Sequence, residues 1–423
     1  MDQLIRDEML AKRSRIPTSG IYVFLIIAVI GFGTFVIQIL GSAPQNAWEI
    51  FLVNFLFWTG IAEAGIVFSC MLRITNARWA RPLLRVSEGL GSFLPISLIL
   101  LLVVFTGRDY ILPYATHPYH HPKDIWLNMT FVFSRNVIGF LILLIVSSYY
   151  LYYSLRQDLG GVSQKLEGLA GWVSSGWKGE DERKQIWTRI GKLAPAIIIL
   201  YAIVFSFFAW DFMMSLSPEW YSTLFGPFYF MASFVAALGM TITLSVLLSR
   251  RLGLEHYVDD IMYHDMGKLL QGFSLFWVYL FFSQLLPIWY GNMPEETSFV
   301  IRRVHEEPFK SLAWAVLTCC FIFPFVALIP RTNKVVKPIL VFIASISLIG
   351  FWLEKYILVI PSLSNTINIG LMQILISLGF LGAFVLTFLI FMRAFPSIPV
   401  GDPFFGGKLG AHRGEATEPW EAG

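Results

Sequence analysis

Charge is scarce in this chain: of 423 residues, 14% are Asp, Glu, Lys or Arg, while 56% are hydrophobic. That balance excludes an ordinary soluble domain and reads as an all-α, polytopic membrane protein. Cysteine is scarcer still. Cys70 and the neighbours Cys319 and Cys320 all lie in apolar stretches, where they form neither a disulfide framework nor a CxxC metal pair and are expected to be small core residues. Histidine is missing from the middle of every apolar run: His117, His120, His121, His256, His264, His305 and His412 fall in loops or at span ends. A membrane b-type haem needs axial ligands inside the helices, so no bound haem is expected. The group His117, His120 and His121 is a candidate outer-face metal site, against the plainer reading of a proline-rich polar loop. No GxGxxG, P-loop, GxSxG or HExxH pattern stands in a supporting context, and no basic face interleaved with aromatics points to nucleic acid. No cofactor is therefore expected on this chain.

Runs of about 20 apolar residues, enough to cross about 30 Å of hydrocarbon, can be placed ten times, near 20–41, 48–72, 84–107, 127–155, 194–215, 222–249, 267–290, 311–330, 336–360 and 366–393. They define a membrane domain over 20–393, with an N-terminal segment 1–19 and a C-terminal tail 394–423. Met1 to Gly20 lacks the short apolar core of a cleavable signal, so the first span is expected to be retained. The tail is rich in Gly, Pro and charge and is expected to be a surface strap or disordered.

Basic residues sort by side. One side takes the N-terminus, the segments 73–85, 156–192, 250–268 and 331–337, and the tail, which together with Arg393 at the end of the last span hold 24 of the 31 Lys and Arg residues. By the positive-inside rule this is the cytoplasmic side, and both termini belong there. The longest loop on it, Arg156 to Lys192, carries Trp172, Trp177 and Trp187, which are expected at the membrane interface. The 38 Phe, 16 Tyr and 14 Trp residues are expected in the helix core and interface belts rather than in a quinone-stacking pocket.

The second span, Asn54-Phe-Leu-Phe-Trp-Thr-Gly-Ile-Ala-Glu-Ala-Gly65, places one carboxylate, Glu63, among small residues that permit close helix packing. An ionisable group at that depth marks a proton or ion route, or else an ion pair that only holds the bundle together. Other polar residues form two layers. Arg135, Asp211, Gln284, Glu354 and Lys355 lie toward the outer side; Glu88 and Tyr201, with Asp260, His264, Asp265, Lys268 and Gln271, lie toward the cytoplasmic side. Counted from their span ends, Glu63 and Arg135 have comparable depth, which allows a salt bridge. The candidate proton path has Glu63 as central relay, Arg135 as its partner or gate, and Asp211 and Glu354 as outer acceptors beside Lys355. Glu88, His264 and Asp265 form the inner entry, with Tyr201 and Lys268 also on the path. The plainer alternative is that Asp211, Glu354 and Lys355 snorkel to the interface, while Asp260 and Lys268 are solvated loop charges.

Four stretches together resemble the NrfD-like, or polysulfide-reductase membrane-subunit, family: Asn54 to Gly65, Thr75-Asn-Ala-Arg-Trp-Ala-Arg-Pro82, His264-Asp-Met-Gly-Lys-Leu-Leu270, and Gln284-Leu-Leu-Pro-Ile-Trp-Tyr-Gly-Asn-Met-Pro-Glu-Glu-Thr297. Within it the chain is most similar to the membrane subunits of bacterial alternative complex III, a quinol-oxidising assembly of the inner membrane. The resemblance implies two four-helix bundles, about 48–215 and 222–360, with the first and tenth spans peripheral. It implies as partners a sister NrfD-like membrane subunit, an iron–sulfur protein, multihaem cytochrome c subunits, small membrane subunits and lipids. The sister subunit of such complexes carries the quinol site with polar residues that include His inside the bundle. This chain has no such His, which leaves it assembly and proton translocation. Two rival readings remain: a quinol site in this chain around Asp211, Tyr221 and Arg135, and a stand-alone secondary transporter, which would show matched helix breaks in its two halves.

Overall fold

The computed structural model of the chain describes residues 16–41, 44–117, 119–161 and 168–405. Most of the expected N-terminal segment, the tail beyond Phe405 and His412 lie outside the described residues. Among the described residues there is no strand, and ten helices are long and apolar enough to cross a membrane: α1 (Thr18–Ile39), α2 (Pro44–Ile74), α3 (Arg81–Thr106), α4 (Met129–Leu159), α5 (Glu180–Leu216), α6 (Phe225–Leu247), α7 (Asp260–Gly291), α8 (Phe309–Ala327), α9 (Lys337–Leu363) and α10 (Leu371–Ala394). Each apolar run forms a helix because a segment in hydrocarbon has to satisfy its own backbone N–H and C=O groups.

The expected loop Arg156 to Lys192 is mostly helical. α4 runs on to Leu159 and α5 begins at Glu180, because the polar residues at these ends find partners. Arg156 bonds Glu182 at 2.6 Å and the carbonyls of Val173 and Ser175 at 2.7 and 2.9 Å, and the acidic first turn Glu180, Asp181 and Glu182 complements the positive end of the helix dipole. The Arg156–Glu182 salt bridge lets this helix end carry charge. The loop tryptophans divide accordingly. Trp172 is exposed beside the Tyr152 ring, whereas Trp177 packs on Gly160 and Trp187 meets Phe404 of the tail edge-on.

α2 is the axis of the molecule. Its most apolar window is wholly buried, against 22% for α1, because α3, α5, α6, α9 and α10 all pack on it. The small residues near Glu63 serve this packing: Gly60 lies on Ser233 of α6 and Gly65 on Ser87 of α3. Helices α2 to α5 surround Glu63, α6 to α9 surround Glu354, and the two groups meet where α2 and α5 face α6 and α9.

The first and last helices form a pair of their own. A Cβ on Gly31 of α1 would sit 2.2 Å from the Gly379 Cα of α10, so backbones touch there and any side chain forces them apart. Gly379→Leu is expected to lower stability by about 1–3 kcal/mol or more through overpacking, read as a lower thermal aggregation midpoint in detergent; an unchanged midpoint would show that the pair does not depend on this contact.

Candidate functional site

Glu63 is fully buried, and one of its oxygens accepts a 2.7 Å bond from the Ser147 hydroxyl of α4 while the other has no partner. A single hydroxyl cannot satisfy two carboxylate oxygens. The expected salt bridge to Arg135 is not formed. About 28 Å of helix separates Glu63 from the start of α2 at Pro44, but only about 9 Å separates Arg135 from the start of α4 at Met129, so the two lie at different depths.

A polar network runs from below Glu63 to the arginine-rich side. Ser69 of α2 bonds the Tyr150 hydroxyl at 2.7 Å and one Glu88 oxygen at 2.8 Å. That same oxygen takes Ser154 at 2.8 Å, and the other takes Arg85, which also grips Asp158. Beyond lie Arg73 and Arg81, which share one oxygen of Asp402 at 2.8 and 3.0 Å. Three arginines thus face three carboxylates, and all six side chains are buried. Of this network only Glu88 was legible as a candidate. Ser147, Tyr150, Ser154 and Asp158 follow the three- and four-residue spacing of one helix face, a signal hidden among the neighbouring tyrosines and serines of 147–154.

Asp402 arrives on the tail, whose described part is inserted rather than laid on the surface. Ser397 donates to the Leu252 carbonyl at 2.6 Å, Gly401 N–H donates to Asp158 at 2.8 Å, and Phe404 lies under the Arg81 guanidinium at 5.2 Å. A Cβ at Gly401 would be 2.0 Å from the Gln157 carbonyl oxygen, so only glycine seats the strap this deep.

Toward the opposite side the way from Glu63 is blocked by phenylalanines drawn from all four helices of its group. Phe208 touches Phe55, Phe140 and Phe212 with ring centroids 5.5–5.8 Å apart, and Phe212 touches Phe105 at 5.8 Å. Above this layer Asp211 is held by Arg135 through both guanidinium edges, one at 2.8 Å, and by Asn136 at 2.6 Å, while Arg135 stacks on Trp126 at 4.0 Å. This is a clip for the segment that leads into α4. Asp211 does not snorkel, being completely buried, and neither it nor Arg135 lines the cavity of about 250 Å³ beside the exposed Tyr221, as a quinol site there would require.

Glu354 and Lys355 also stay inside, each 1% exposed, because the short helix Pro294–Val304 folds over the end of their helix group. Lys355 bonds Glu354 at 2.5 Å, Trp277 donates to Glu354 at 3.2 Å, and the Lys355 ammonium lies 4.5 Å from the centre of the Tyr229 ring. Tyr229 reaches across to the first group, donating to the Leu56 carbonyl of α2 at 2.9 Å, and Tyr201 of α5 donates back to the Phe230 carbonyl of α6 at 2.7 Å. Glu354 borders an aromatic-walled cavity of about 110 Å³ that extends to Gln284 and Arg303. Arg303 is buried against the carbonyls of Phe299, Ile357 and Leu358 at 3.0–3.1 Å. Burial, then Arg302, pulls its pKa down to about 9, which still leaves a cation at neutral pH.

The remaining candidates lie apart. His264, Asp265 and Lys268 form a surface string at the start of α7, with Asp265 3.3 Å from His264 and 3.2 Å from Lys268, and Gln271 donates to the Phe325 carbonyl at 2.9 Å. None of these is bonded to Glu88. Asp260 is 3.7 Å from Lys337, in solvent. Among the described residues no three His, Cys, Asp or Glu side chains gather as a metal site; His121 pairs with Asp124 at 3.4 Å.

The family model described as polysulphide reductase, NrfD, matches residues 38–368. No curated protein matches the chain. The matched stretch contains Glu63, Glu88 and Glu354 but ends before Asp402, so the third carboxylate of the arginine cluster lies outside it. Asp402→Asn leaves Arg73 and Arg81 sharing a neutral amide and is expected to cost about 3–5 kcal/mol, whereas Glu255→Gln at the exposed Arg250 pair should change stability by less than about 1 kcal/mol. Thermal unfolding of the two variants side by side measures this, and equal midpoints would remove the strap from the list of structural supports.

Proposed function

The chain belongs to the polysulphide reductase NrfD family of membrane subunits of redox complexes, and from that premise we propose that it is the ActF-like, non-redox subunit of a quinol-oxidising alternative complex III in a bacterial inner membrane. On this reading α2 to α5 and α6 to α9 are the two four-helix bundles, the arginine-rich side is cytoplasmic, and α1 with α10 is peripheral. The neighbours are a sister NrfD-like subunit that binds quinol, an iron–sulfur protein, multihaem cytochromes c and small membrane subunits. Electron carriers belong to those partners. This chain supplies contacts and a route for protons.

The observation that carries the reading is the partnerless oxygen of Glu63. A carboxyl held by one hydroxyl can turn between neighbours, which a carboxylate clamped by a guanidinium cannot. Protons enter along the hydroxyls of Ser154, Ser69 and Tyr150, with Glu88 as the fixed acceptor that orients them, and reach Glu63 through Ser147. The phenylalanine layer closes the direct way outward, so the exit crosses between bundles at Tyr201 and Tyr229 to Glu354 and leaves through the cavity beneath Arg303. Asp211 and Arg135 stand off this route, as do His264, Asp265 and Lys268.

In the intact complex Glu63→Gln and Glu354→Gln are each expected to cut the proton-to-electron ratio to about half or less, since an amide cannot relay a proton through the membrane interior, while quinol oxidation continues. Asp211→Asn should loosen the segment that leads into α4 and leave the ratio alone. Proton release measured against electron transfer separates these outcomes, and an unchanged ratio in both glutamate variants would reduce the chain to a scaffold.

A further inference from the structure

A second, larger cavity, of about 710 Å³, lies between the α1–α10 pair and helices α2, α6 and α9. It has no part in the proton route. Its α10 wall runs from Gln373 to Leu389, about 24 Å at the helical rise, and its lining includes Arg251 on the arginine-rich side. We propose that this groove binds one anionic phospholipid, with an acyl tail lying between α9 and α10 and the phosphate at Arg251.

Four observations select this occupant. The polar side chains midway along the wall satisfy one another: Asn54 donates to Ser377 at 2.9 Å and accepts from Trp352 at 3.0 Å. Most of the wall therefore offers hydrocarbon a hydrocarbon surface, the Trp58 indole N–H being a donor there without a partner. The volume fits a lipid tail. A methylene takes slightly less space than a water, whose share of the liquid is about 30 Å³, so one or two long tails fill the groove. A transmembrane helix of a partner, about 10 Å across, would need about 1,900 Å³ over the same length. Finally, Arg251 is exposed and, among the described residues, has no carboxylate in ion-pair reach, whereas its neighbour Arg250 is 3.2 Å from Glu255. A guanidinium at headgroup depth is a phosphate partner by charge and by its forked donors.

The test uses the full chain extracted from membranes in mild detergent and native mass spectrometry of what stays bound. Wild type should carry one phospholipid, enriched in anionic headgroups over the bulk membrane. Ile349→Trp with Leu378→Trp fills the groove from two exposed positions and should lower that occupancy about tenfold, with the elution profile unchanged. Arg251→Gln should keep a bound lipid and lose the anionic enrichment. A benzophenone side chain at Ile349 in the intact membrane should mark lipid. Equal lipid in wild type and the double variant, a retained neutral isoprenoid with a polar ring held at Trp58, or a protein adduct from the benzophenone would each overturn the assignment.

Discussion

Arg73, Arg81 and Arg85 share a closed space with Glu88, Asp158 and Asp402, and neither set is stable there without the other. Moving an ion of this size from water to a protein interior costs several kcal/mol even after relaxation, so each charge has to be met by an opposite one and by hydrogen bonds. Here the count balances, and Ser69, Tyr150 and Ser154 take up remaining bonding capacity. The consequence is architectural. The ends of α2, α3 and α4 are tied to one another and to a strap from the far end of the chain. Against that background Glu63 stands out, one hydroxyl away from being an unmet acid.

The two helix groups treat their opposite-side ends differently. The first is sealed by Phe55, Phe105, Phe140, Phe208 and Phe212, with the Arg135–Asp211 clip above them. The second is hollow, and the Glu354 carboxylate borders that hollow. A ring layer leaves no space beside it, whereas the cavity leaves open volume between Glu354 and Arg303. Tyr201 and Tyr229 hydrogen-bond across the seam between the two groups, and the proposed route draws on both.

Much of this was legible in the sequence, and the parts that were not share a cause. Hydrocarbon thickness sets span length, so all ten helices could be placed; lone charges in apolar runs are conspicuous, so Glu63, Glu88 and Glu354 stood out. Partnership was harder to read. Arg81 and Asp402 are 321 positions apart, and no local pattern links them. Depth counted from span ends misled for Arg135 because helices overrun their apolar cores by different amounts. Ser147 and Ser154 carry no signal of their own, because a serine in a membrane helix ordinarily bonds its own backbone, and only the facing carboxylates give these two another role.

The late position of Asp402 bears on how the protein is made. At about 5–20 residues per second, the counter-ion of Arg73 and Arg81 leaves the ribosome on the order of 20 to 60 s after they do. Through that interval the guanidiniums have to rest among lipid headgroups and water, and the helices carrying them cannot settle to full depth. The arginine-rich end is therefore completed only when the strap arrives, and a nascent chain halted before Asp402 leaves Arg73 and Arg81 without their shared counter-ion.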